Sequence, residues 1–115
     1  MTFDAAAQEA ATRAQWDEIT ASMIPPAKGL LDLHFIAGEG ADATEFMGWL
    51  EDAGYDVEHF PPGEFEDGDE EDEVIEVQTP ALTLTLDRIL AEERRTTEAA
   101  LRYGFRPTGW GFMGL

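Results

Sequence analysis

Leu30-Leu31-Asp32-Leu33-His34-Phe35-Ile36-Ala37 alternates: Leu31, Leu33, Phe35 and Ala37 point one way, Asp32 and His34 the other. Side chains leave a strand on its two faces in turn, so a period of two predicts a strand buried on one side only. Gly38-Glu39-Gly40 turns the chain, and Asp42 followed three residues later by Glu45 fits an N-cap with a capping-box partner. A helix should run from there to Ala53, with Phe46, Met47, Trp49, Leu50 and Ala53 as its apolar side. Gly54 is placed to close that helix in the left-handed region. Tyr55-Asp56-Val57-Glu58-His59-Phe60 then alternates again as a second strand, closed by Pro61-Pro62-Gly63.

Working outward, Val74-Ile75-Glu76-Val77-Gln78-Thr79 is rich in β-branched residues and predicts a third strand ending before Pro80, paired with the second as a long-looped hairpin. Between about Thr83 and Tyr103, Leu86, Ile89, Leu90, Ala100 and Leu101 recur at helical spacing, with Glu92, Glu93, Arg94, Arg95 and Arg102 on the wetter side. Gly104 is a second candidate helix-closing glycine, and the aromatic, glycine-rich tail from Phe105 to Met113 fits a last strand. Upstream, Asp4 to about Met23 reads as a helix with a weak stripe of Ala7, Ala11, Ala14, Trp16, Ile19 and Met23, ended by Ile24-Pro25-Pro26.

The division is therefore a helix and Pro-Pro linker over residues 1–28 and a domain over 29–115. The domain order β-α-β-β-α-β predicts an α+β, ferredoxin-like sandwich: a four-stranded antiparallel sheet with two helices on one face. With the first and third strands central, the uncovered face shows Asp32, His34, Glu76 and Gln78. Solvent, the N-terminal helix or a partner is left to cover it.

Charge narrows the function. Twenty-five acidic residues against seven basic ones give −18 at pH 7 over 115 residues. Eight of those carboxylates stand in one run without a cation: Glu64, Glu66, Asp67, Asp69, Glu70, Glu71, Asp72 and Glu73. Such a field repels phosphate backbones and anionic membranes and speeds encounter with a basic protein surface. Direct nucleic-acid binding is thus disfavoured, and a cationic protein partner is expected, with the run as its candidate contact. Absence of cysteine removes thiolate nucleophiles, disulfides and zinc-thiolate sites. The N-terminus has no basic n-region or apolar h-region, and no stretch approaches a membrane span, so a cytoplasmic protein is expected.

Gly109-Trp110-Gly111 after a long helix, Gly54-Tyr55-Asp56-Val57-Glu58 after the first sandwich helix and Leu31-Asp32-Leu33-His34-Phe35 before it resemble the RraB family, regulators of ribonuclease activity B, over roughly Leu30 to the C-terminus. The family's closing motif, Tyr-Asp-Gly-Trp-Gly, is met here with Pro107 and Thr108 at the first two positions. The resemblance implies a small acidic cytoplasmic protein of ferredoxin-like fold that binds ribonuclease E and inhibits its RNA cleavage, with no catalysis of its own and no cofactor. Its oligomeric state is expected to be a monomer or weak homodimer.

For Trp110 two readings stand: a buried ring packing the last strand against a helix, its glycines permitting close approach, or a partner-facing anchor. His34 and His59 fall on different strands without a third ligand, so no metal site is assigned. The acidic run lacks EF-hand spacing. Asp32, Glu76 and His34 converge on the open face without a nucleophile, phosphate loop or cofactor motif. Two other functions fit the pattern: a small-molecule-binding or enzymatic domain using that face, and an immunity-type inhibitor of a toxin nuclease.

Overall fold

The computed structural model describes residues 3–61 and 73–114. Its elements are α1 (Ala5–Ser22), β1 (Lys28–Ala37), α2 (Ala43–Asp52), β2 (Asp56–Phe60), β3 (Val74–Gln78), β4 (Leu82–Thr83), α3 (Leu86–Arg102) and β5 (Phe105–Gly114). α2 starts where the capping chemistry predicts, and α1 is capped in the same way. Asp4 Oδ1 accepts from the Ala7 amide at 3.0 Å and Asp42 Oδ1 from the Glu45 amide at 3.1 Å. Gly54 and Gly104 take φ of +95° and +83°, the left-handed backbone expected after a helix end.

All strand pairings are antiparallel: β2 with β3, β3 with β1, and β1 with β5. β4 pairs Lys28 and Gly29 on the edge of β1 that β3 uses further along, so it prolongs the line of β3. This is the ferredoxin-like order, with β1 and β3 central. Leu33, Phe35, Ile75 and Val77 form one core with Phe46 and Leu50 of α2, Ala99 and Ala100 of α3, and Phe105. Leu31, Leu82, Leu84 and Ile89 form a second, flanked by Trp16, Trp110 and Phe112. The Leu and Phe side of the alternation in β1 is therefore the covered side, as its pattern predicts.

Four details depart from the sequence reading. The third helix begins at Leu86, capped by Thr85, and not near Thr83, which belongs to β4. β3 ends before Pro80 as predicted, but its line continues in β4, which the sequence reading lacks; between them the Thr79 amide donates to Leu31 O, and the Leu31 amide donates to the Thr79 hydroxyl. Glu92 and Glu93 are buried, whereas Leu101 is exposed. The inward stripe of α3 runs through Ile89, Glu92, Glu93, Thr96 and Ala100, and its carboxylates are admitted because each has a partner. Glu92 accepts from the Tyr55 hydroxyl at 2.5 Å and pairs with Arg88 at 3.1 Å; burial, reinforced by that bond, pushes the Tyr55 phenol well above its ordinary value.

The fourth detail is the docked face of α1. Ala7, Ala11 and Ala14 are exposed, and the inward side is Gln8, Thr12, Gln15, Trp16 and Ile19. Thr12 Oγ1 donates to Glu93 Oε1 at 2.5 Å, and Gln8 Nε2 donates to Thr97 Oγ1 at 3.0 Å. A polar seam of this kind carries little apolar periodicity, which is why the alanines mislead.

Glu93 in this seam gives a pH prediction. Burial raises its carboxyl above the ordinary value, while the Thr12 hydrogen bond acts the other way. The fold favours the protonated form, so this group's contribution is present below the ordinary carboxylate range and is lost as pH rises through the raised value. Glu93→Gln keeps an acceptor for Thr12 without the charge. Its Tm is expected to exceed that of the parent chain by a few degrees at pH 7 and to converge with it in mild acid; a constant gap at both pH values would show that Glu93 does not titrate with folding.

Candidate functional site: the open sheet face

The three helices all lie against one side of the sheet, so the opposite side has no cover among the described residues. Register builds this side in rows. His34 stands opposite Glu76, and Glu76 opposite Glu58; Asp32 stands opposite Gln78, and Gln78 opposite Asp56. Asp32, His34, Glu76 and Gln78 are thus where alternation predicts them. Asp56 and Glu58 were not foreseen there, although the same period of two in Tyr55-Asp56-Val57-Glu58 carries the signal once the β2–β3 register is known.

These six side chains line a groove of about 400 Å³. Four are carboxylates, and among the described residues none has an ion-pair partner; Asp32 accepts from Gln78 Nε2 at 3.1 Å. Glu58 and Glu76 face each other directly, an arrangement that destabilises a sheet. Most of the cations lie elsewhere: Arg88, Arg94, Arg95 and Arg102 are on α3, where Arg95 sits over the rings of Trp49 and Tyr55 at 5.7 and 5.8 Å. Two described cations fall on the face by register and alternation, one at each end: Arg106, opposite Ile36 on β5, and Lys28, which starts β1 in phase with Asp32 and His34.

On β5 the two rows end in glycine: His34 is opposite Gly109 and Asp32 opposite Gly111. Among the described residues a Cβ at either position would meet nothing within 4 Å, so these glycines serve no close approach there, contrary to the packing expected of them. Trp110, between them, faces the other way. It stands opposite Leu33 and flanks both cores, half-buried near α1, where its carbonyl accepts from Gln15 Nε2 at 3.4 Å. Its Nε1 is buried without a hydrogen-bond partner among the described residues.

A register shift between His34 and Phe35 leaves Thr108 as an extra residue on β5, its hydroxyl donating to the His34 carbonyl at 3.3 Å. This bulge lets Phe105 and Trp110, five residues apart, both face the helices.

Of the acidic run, Glu64, Glu66, Asp67, Asp69, Glu70, Glu71 and Asp72 lie outside the described residues. Glu73 is described, and its Oε2 meets His59 Nε2 at 2.7 Å. His59 pairs with Ile75 on the covered side, so the two histidines lie on opposite faces. No group of three or more His, Asp or Glu among the described residues is arranged to hold a metal ion.

The sequence profile of RraB, described as regulator of ribonuclease activity B, matches residues 4–112, which takes in α1 as well as the sandwich. No curated protein matches the chain. The match covers nearly the whole length, and the chain belongs to the RraB family of regulators of ribonuclease activity.

Proposed function

We propose that the chain regulates by contact: it binds a basic surface of an endoribonuclease of the ribonuclease E type and lowers its RNA cleavage, without catalysing a reaction or using a cofactor. The observation that carries this reading is the uncompensated acidity of the open sheet face, four carboxylates with no ion pair among the described residues on a chain of net charge −18. Nucleases present cationic surfaces to RNA, and an acidic face competes for such surfaces. No helix among the described residues is long and apolar enough to cross a membrane, and the reading places the protein in the cytoplasm with its target.

In this reading the carboxylates of Glu64 to Glu73 steer the encounter and the sheet face holds the partner. Affinity for ribonuclease E from the same organism, measured at rising ionic strength, is expected to fall steeply, and RNA cleavage to recover in parallel. No binding at low salt would sink the partner, and salt-independent binding would sink the electrostatic mechanism. Replacing Glu70, Glu71 and Asp72 with Gln, Gln and Asn is expected to slow association several-fold and leave dissociation nearly unchanged. An unchanged on-rate would remove the run from the encounter.

A further inference from the structure

Gly109 and Gly111 lie in the interior of a ten-residue strand, where glycine weakens pairing and packs nothing. Neither has a positive φ, and neither would bring a Cβ within 4 Å of another atom. Nothing among the described residues calls for glycine at these two places. Both lie on the open face at the ends of the two acidic rows, so β5 offers bare backbone beside Asp32, His34 and Glu76.

We propose that this strip seats an extended, cationic segment of the partner, whose backbone runs along β5 over Gly109 and Gly111 and whose Arg or Lys side chains reach sideways into the groove. This deepens the reading above and rests on its basic partner. The geometry suits such an occupant. Alternate residues of an extended segment repeat every ~7 Å, the same as the spacing between the His34–Glu76–Glu58 and Asp32–Gln78–Asp56 rows. From β5 to β3 is two strand gaps of ~4.8 Å each, within reach of a long cationic side chain. A bare strip lets the incoming backbone lie low enough for that reach, and the four carboxylates, without an ion pair among the described residues, supply complementary charge. Exposed Met113, just beyond the rows, adds apolar contact at one end.

The test is the double variant Gly109→Val, Gly111→Val, which fills the strip without altering charge. Its Tm is expected to be equal to or above that of the parent chain, since valine suits a strand and has free space at both positions. Its affinity for ribonuclease E from the same organism is expected to drop about tenfold or more. A folded double variant that binds within twofold of the parent overturns the seat while leaving the ribonuclease reading intact. If the parent itself does not bind ribonuclease E, that reading fails instead, and the seat is judged by titrating an eight-residue peptide of alternating Arg and Ala into the parent chain under heteronuclear NMR. Amide shifts centred on Asp32, His34, Gly109 and Gly111 support the seat; shifts confined to other surfaces overturn it. The same titration decides the matter should the double variant fail to fold.

Discussion

Glu76→Lys is expected to melt above the parent chain and to lose its ribonuclease partner. Glu76 stands directly opposite Glu58 on β2 and opposite His34 on β1. A lysine there converts a like-charge pair into an opposite-charge one, and cross-strand pairs of this kind contribute about 0.2–1 kcal/mol. The side chain is only partly buried and its row faces no helix, so the core is untouched. Binding is expected to move the other way, because a cation would stand where the proposed seat receives the partner's cation. Close interfacial charge pairs couple by about 1.5–7 kcal/mol, and reversal adds repulsion to that loss, so affinity should fall about tenfold or more. Calorimetry and a binding titration on one sample check both halves. A variant that is more stable yet binds as tightly as the parent would take the sheet face out of the interface.

Phe46→Ala is expected to cost about 3–5 kcal/mol, a large share of the roughly 5–15 kcal/mol that stabilises a typical domain. Phe46 is fully buried and joins elements far apart in sequence. Its ring meets Phe35 of β1 edge-on at 5.3 Å, Phe105 of β5 at 5.2 Å and Tyr103 at the end of α3 at 6.3 Å. Removing it deletes these contacts and leaves a cavity between the sheet and α2. Leu101→Ala is the matched comparison. Leu101 is 42% exposed, so its loss should stay within about 0.5 kcal/mol, as at most surface positions. Urea titration of the pair measures the difference, and equal losses would place Leu101, not solvent, against the core.

The strands and the caps were legible because each rests on local chemistry. The alternation of Leu31, Leu33 and Phe35 with Asp32 and His34 reports one buried face whatever packs there, and Asp42 and Gly54 mark helix ends through their own side chain or lack of one. What stayed hidden depends on neighbours distant in sequence. Glu92 and Glu93 read as wet because a carboxylate normally is, and it is Tyr55 and Arg88 for the first, Thr12 and Gln8 for the second, that make their burial tolerable. The polar inner side of α1 could not be told from solvent-facing residues without α3 opposite it. Likewise four of the six side chains of the candidate site were readable in Asp32, His34, Glu76 and Gln78, while Asp56 and Glu58 joined it only through the hairpin register. Gly109 and Gly111 read as crowded and stand open for the same reason: whether a glycine is crowded is a fact about what lies above it.

The Thr108 bulge makes the last strand a matter of parity. Counting from Phe105, an unbroken strand would turn Trp110 outward and Gly109 and Gly111 inward, burying bare backbone and stranding the indole among the carboxylates. One extra residue shifts the count, so the segment fastened to the core by Phe105 and the segment that shapes the acidic face keep opposite phases. The distance from Gly104 to Trp110 is therefore not free to vary by a single residue. Losing or gaining one there would exchange the two sides of β5, whereas a change of two would keep them.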